Sequence, residues 1–115
     1  MAEKRLGEDT VLFSSFPSII ATATTVGKKE GEGPCAKYFD KVVRDPLYGE
    51  GTWEKAESKF LLESVRKALE KSRLTYDQIH FMFSGDLLNQ ITASNFAARE
   101  LPIPFYGLFG ACSTF

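Results

Sequence analysis

Ile79-His-Phe-Met-Phe-Ser-Gly-Asp-Leu-Leu-Asn-Gln90 and Phe105-Tyr-Gly-Leu-Phe-Gly-Ala-Cys-Ser-Thr-Phe115 each run an apolar stretch into a glycine and then a polar loop. Between them, Thr92 to Leu101 places Ala93, Phe96, Ala97 and Leu101 at helical spacing, and Pro102 with Pro104 stops the helix. Strand, helix and strand at this length predict a right-handed βαβ crossover with two parallel strands. Because Ile79 to Ser84 is almost wholly apolar, it is expected to be buried on both faces of a parallel sheet. The fold class that follows is α/β with a mostly parallel sheet. The loops at Asp86 to Gln90 and Gly110 to Ser113 both follow strand carboxyl ends, where α/β proteins build their sites.

Upstream, Trp53 to Ser72 repeats apolar residues at three- and four-residue intervals through Trp53, Ala56, Phe60, Leu61, Val65, Ala68 and Leu69. This predicts an amphipathic helix with Thr52 as N-cap and a solvated face on which Glu63 and Lys67 are spaced to pair. Thr75 and Gln78 then form a capping-box pattern for a short helical turn. Between Tyr38 and Gly51 no period holds, and a long ordered loop is expected. Gly27 to Pro34 reads as a solvent-exposed glycine-rich loop that lacks the Gly-Lys-Ser/Thr of a phosphate loop. Thr10 to Val26, rich in β-branched residues with Pro17 in its middle, reads as two short strands or one interrupted strand.

The 115 residues, 43% hydrophobic and 25% charged, suit one globular domain. Fourteen basic residues against fifteen acidic ones give a net charge of -1, which argues against a nucleic-acid or anionic-membrane binder driven by bulk charge. The charged start, Met1-Ala-Glu-Lys-Arg-Leu-Gly-Glu-Asp9, leads into no apolar run of signal-peptide or membrane-span length, so a soluble intracellular protein is expected. Cys35 and Cys112 share no metal-ligand spacing and have no histidine nearby; neither a disulfide nor a zinc site is expected.

Cys112 follows a strand and a small-residue turn, the arrangement that holds a nucleophile where backbone N–H groups and a helix dipole favour the thiolate. The bland alternative is a compact residue chosen for strand-to-helix packing. His80, the single histidine, stands at the beginning of its strand whereas Cys112 follows the end of the neighbouring one, so it is a poor partner for the thiol. Arg99 reads as a surface or salt-bridged residue. The polar groups these loops offer are Asn89, Gln90 and hydroxyls such as Ser113 and Thr114, whereas Asp86 would repel an anion unless protonated or used to orient a donor.

The order of elements, with Thr75-Tyr-Asp-Gln-Ile79, a helix ending Arg99-Glu-Leu101 and a strand delivering Gly110-Ala-Cys-Ser-Thr114, resembles the first half of the thiolase and ketoacyl-synthase superfamily. Gly85-Asp-Leu-Leu-Asn-Gln90, Ala93-Ser-Asn-Phe-Ala-Ala-Arg99 and Ile103-Pro-Phe-Tyr-Gly-Leu-Phe-Gly-Ala-Cys-Ser-Thr114 closely resemble a sporulation branch of it. That likeness extends back through Thr52-Trp-Glu-Lys-Ala-Glu57 and the Gly33-Pro34 and Phe39-Asp-Lys41 region, over nearly the whole chain.

The resemblance implies a thiolase-like fold of two similar halves, with residues 1–115 forming the N-terminal part of a domain truncated just after the cysteine turn. It implies that Cys112 stands at the acyl-accepting nucleophile position. It further implies non-enzymatic binding of dipicolinic acid for uptake into the developing spore, beside membrane proteins of the same sporulation operon. The location implied is cytoplasmic and peripheral to the spore inner membrane. The expected ligand-lining set is Cys112, Ser113, Asn89, Gln90 and Asp86, with no catalytic set, no metal and no cofactor. The rival readings are an acyltransferase that uses Cys112 as nucleophile and a truncated product with no independent function. Because Phe105, Tyr106, Leu108 and Phe109 would want cover on both faces, the chain alone is expected to be poorly stable or oligomeric.

Overall fold

The computed structural model describes residues 5–114, so Phe115 and the first four residues of the charged start lie outside the described residues. A short antiparallel pair opens the chain, β1 (Arg5–Leu6) against β2 (Thr10–Val11). Leu12 to Thr24 then carries neither helix nor strand, bending at Ser14 and Ser15, and Phe16 is 91% exposed. β3 (Thr25–Val26) is followed by a single helical turn, α1 (Lys28–Gly31), where a loop was expected. That turn closes because the Gly31 N–H reaches the Gly27 carbonyl at 3.2 Å and the Glu32 N–H reaches that of Lys28 at 3.1 Å.

The expected long loop from Tyr38 to Gly51 contains a strand of two residues, β4 (Lys41–Val42), parallel to β3. Its side-chain anchor is Asp40. One carboxylate oxygen accepts the Thr24 N–H at 2.9 Å and the other takes the Lys71 ammonium at 2.8 Å. A contact between residues this far apart in sequence leaves no periodic signal, so the strand escapes a reading by pattern.

α2 (Trp53–Ser72) begins at Thr52 as the spacing predicts, with the Lys55 N–H donating to the Thr52 hydroxyl at 3.3 Å, and ends at Arg73, whose φ of 59° lies in the left-handed region. Its twenty residues span about 30 Å. The buried side chains are Ala56, Ser58 and Leu62, whereas Trp53, expected on the buried face, is 55% exposed. The expected Glu63–Lys67 pair does not form. Lys41 from β4 reaches Glu63 at 2.5 Å, and Lys67 takes Glu70 at 2.9 Å. The Lys41 ammonium holds the Glu63 carboxyl below its ordinary value of 4.5.

After the Thr75–Gln78 turn, in which the Gln78 side-chain oxygen accepts the Thr75 N–H at 2.9 Å, comes the predicted crossover. β5 (Met82–Ser84), α3 (Thr92–Ala98) and β6 (Phe105–Gly107) form it, with Met82, Phe83 and Ser84 opposite Phe105, Tyr106 and Gly107 in parallel register. α3 is shorter than its periodic run, ending at Ala98, but Leu101 is still buried. The core joins Leu62, Ala97, Leu101 and Ile103, flanked by Leu61, Val65, Tyr76, Ile79 and Met82. It therefore lies between α2, α3 and one face of the β5–β6 pair.

The mixed helices and parallel strand pairs make this an α/β chain. Burial of β5 on both faces is overturned: Phe83 is 65% exposed and Phe81 55%, because no element among the described residues packs over that face. Tyr106 stacks on Phe83 at 5.5 Å between ring centroids and meets Phe81 edge-on at 5.6 Å.

Candidate functional site

The parallel register delivers two loops side by side. Ser84 and Gly107 end their strands opposite each other, so Gly85 to Ile91 and Leu108 to Thr114 leave the same edge. Two glycines allow the approach. A Cβ on Gly85 would lie 2.7 Å from the Leu108 carbonyl oxygen and 2.7 Å from the Thr114 hydroxyl; one on Gly107 would lie 2.8 Å from the Ile91 side chain. Each loop therefore touches the backbone at the root of the other, a distance that only glycine permits.

Each loop also holds a residue in the left-handed region where a side chain is disfavoured. Ile91 has φ 63° and Ala111 φ 43°. For β-branched Ile91 in particular this conformation is unfavourable by roughly 1–3 kcal/mol. Asp86 maintains it: Oδ1 accepts the Ile91 N–H at 2.6 Å and Oδ2 accepts the Ser94 N–H at 2.8 Å. Ser94, fully buried, places its hydroxyl 3.2 Å from that of Ser84, closing a polar link from strand to helix. Ala111 sits at the head of the 3-10 turn Ala111–Ser113, directly before Cys112.

The sequence-predicted site residues thus divide. Asn89, Gln90, Cys112 and Ser113 are exposed along the loop crests. Asp86 is turned inward as a helix cap, with both oxygens engaged. The Ser113 hydroxyl donates to the Gly110 carbonyl at 2.7 Å and the Thr114 hydroxyl to that of Ala111 at 2.9 Å, so each is left mainly as an acceptor. Donors without a hydrogen-bond partner among the described residues include the Asn89 and Gln90 amides, the Cys112 thiol and the backbone N–H groups of Ala111 and Cys112. Neither loop contains lysine or arginine.

His80 is exposed and precedes β5, at the opposite end of the strand from these loops. Arg99 is exposed and lies over the Phe96 ring at 5.8 Å from its centroid. Both thiols, Cys35 and Cys112, are free and exposed. No helix among the described residues is long and apolar enough to cross a membrane.

Sequence reasoning missed Glu57. From α2 its Oε1 accepts the Leu87 N–H at 2.9 Å, across 30 residues of sequence. Its place on the helical wheel was the available signal: Glu57 follows buried Ala56 by one residue and precedes buried Ser58, so it stands beside the buried stripe.

Residues 7–115 match the family model described as stage V sporulation protein AD. The chain is 40% identical over 111 residues to Stage V sporulation protein AD of Bacillus subtilis (strain 168), an alignment that covers 96% of this chain and 33% of that protein. It therefore spans about a third of the length of the curated relative it matches. On both findings the chain belongs to the stage V sporulation protein AD family.

Proposed function

We propose that this chain supplies part of a binding site for dipicolinic acid, pyridine-2,6-dicarboxylate, and that it binds this ligand without covalent chemistry. The observation that carries the reading is the pair of interlocked loops at the strand carboxyl ends, each holding a non-glycine residue, Ile91 or Ala111, in left-handed backbone. Strain of this kind persists where surrounding contacts enforce it, and it gathers at sites that must present groups in a fixed direction.

The groups presented suit an acceptor-rich planar anion. Asn89 and Gln90 offer amide donors, the turn at Ala111 and Cys112 offers N–H groups, and the Cys112 thiol is exposed on that same turn. With no cation in either loop, the charge of two carboxylates calls for partners from outside them. Membership of a stage V sporulation family supports the choice of ligand, and with it a role in loading the developing spore. In this reading the protein works on the cytoplasmic side, peripheral to the spore inner membrane and beside membrane proteins of the same operon.

That no base or polar pair stands beside Cys112 among the described residues supports the reading of binding without catalysis. Acyl transfer needs a base or polar pair beside the thiolate, and the single histidine is at the far end of β5. Calorimetric titration of the full-length protein should give saturable binding of dipicolinate and none of benzoate, which lacks the second carboxylate and the ring nitrogen. Equal binding of both, or of neither, would sink the reading.

A second reading rests on the exposure of Cys112 immediately after the strained Ala111, where a nucleophile would be held. If incubation with acyl-CoA gives an acyl mass adduct that Cys112→Ala abolishes, the protein is an acyl-thioester enzyme.

A further inference from the structure

The loop that carries Asn89 and Gln90 is gripped from two directions. Asp86 folds its far end by taking the Ile91 and Ser94 N–H groups. Its near end is held by Glu57, a residue of the longest helix, through the Leu87 N–H. The next residue, Leu88, lines a cleft of about 220 Å³ together with Pro46, Trp53, Ala56, Glu57 and Phe60. The second carboxylate oxygen of Glu57 is buried and has no hydrogen-bond partner among the described residues.

A carboxylate that satisfies only one N–H and buries its other oxygen is an unfavourable way to fill space beside an apolar cleft. What the arrangement does achieve is geometric. It fixes the start of the loop to a helix of twenty residues, while Asp86 fixes its end to α3. Between these two clamps lie the crest residues Asn89 and Gln90.

We propose that Glu57 is a positioning residue for the loop: through the Leu87 N–H it sets where the Asn89 and Gln90 amides stand before ligand arrives. The proposal rests on the dipicolinate reading for its ligand, and on the Glu57–Leu87 hydrogen bond alone for its loop. Pre-setting these donors spares the ordering of a mobile loop on binding, which would otherwise weaken affinity.

Glu57→Ala should raise the hydrogen-exchange rate of the Leu87 amide by about tenfold or more while α2 amides keep their protection. The same variant of the full-length protein should bind dipicolinate about tenfold more weakly, since an unclamped loop must order at the moment of binding. Glu57→Gln keeps an acceptor for Leu87 and should restore both values to within about threefold of the parent. Glu57→Asp, which retains charge but retracts the oxygen by one methylene, should behave like the alanine variant and replaces it if that protein does not fold. Unchanged Leu87 exchange in Glu57→Asp or Glu57→Ala would overturn the proposal. So would faster exchange with unaltered dipicolinate affinity, which would make Glu57 a structural residue only. If the parent protein binds no dipicolinate, the ligand reading fails, and the exchange measurement alone decides whether Glu57 holds the loop.

Discussion

The two faces of the β5–β6 pair were built from the same apolar alphabet and met opposite fates. On one face Met82, with Leu62, Ala97, Leu101 and Ile103, closes against α2 and α3. On the other, Tyr106 stacks on Phe83 and meets Phe81 edge-on, and all three remain more than half exposed. Hydrophobicity decides that a residue favours burial, but a second element must arrive to provide it. The helix-covered face carries the stability of the described residues, and the aromatic face is available for association.

Breaking the covered face should have the largest effect. Leu62→Ala opens a cavity between α2 and α3 and should lower unfolding free energy by about 2–5 kcal/mol in a denaturant titration. Loss below about 1 kcal/mol would mean that this core is not what holds the chain together. Next comes the clamp at the edge between strand and helix. Asp86→Ala removes the acceptor of two backbone N–H groups and should destabilise by about 1–3 kcal/mol, with exchange at Ile91 and Ser94 rising first.

The aromatic face should respond in the opposite sense. Phe83→Ser removes a ring that is 65% exposed, so stability should change by less than about 1 kcal/mol, while concentration-dependent self-association in sedimentation experiments should fall. A parent chain that sediments as a monomer at every concentration, with a sharp thermal transition, would remove the association half of the contrast.

The smallest expected effect lies farther out, at Asp40. The Lys71 hydrogen bond, with that of the Thr24 N–H, holds its carboxyl below the usual 3.8. A depressed carboxylate stabilises the fold above its unfolded value and loses that contribution as pH falls through the folded value, so the window lies below pH 3.8. Asp40→Asn should flatten the acid side of the stability profile there. The stability difference between variant and parent should shrink on acidification; a constant difference would mean the ion pair is not the source.

How much of this is legible in the sequence follows from which contacts are local. The Thr52 cap, the period of α2, the Thr75–Gln78 turn and the βαβ order all depend on residues a few positions apart, and each is present. The family itself was readable from the motifs around Cys112. What escaped were pairings across long separations: Lys41 with Glu63, Asp40 with Lys71, and Glu57 with Leu87. The exposure of Phe83 also escaped, because an apolar run records a preference for burial and not whether a neighbour covers it. In the site, residue identity predicted a polar loop, but only geometry turns Asp86 inward and leaves Asn89 and Gln90 at the crest.

The proposed seat of a dicarboxylate over the two loops, against Cys112, can be probed by protection of that thiol. Both cysteines are exposed, so Cys35 serves as an internal control. Alkylation of the full-length protein with iodoacetamide, followed residue by residue in the mass spectrometer, should slow at Cys112 when saturating dipicolinate is present and proceed unchanged at Cys35. Equal labelling of Cys112 with and without dipicolinate would rule that seat out.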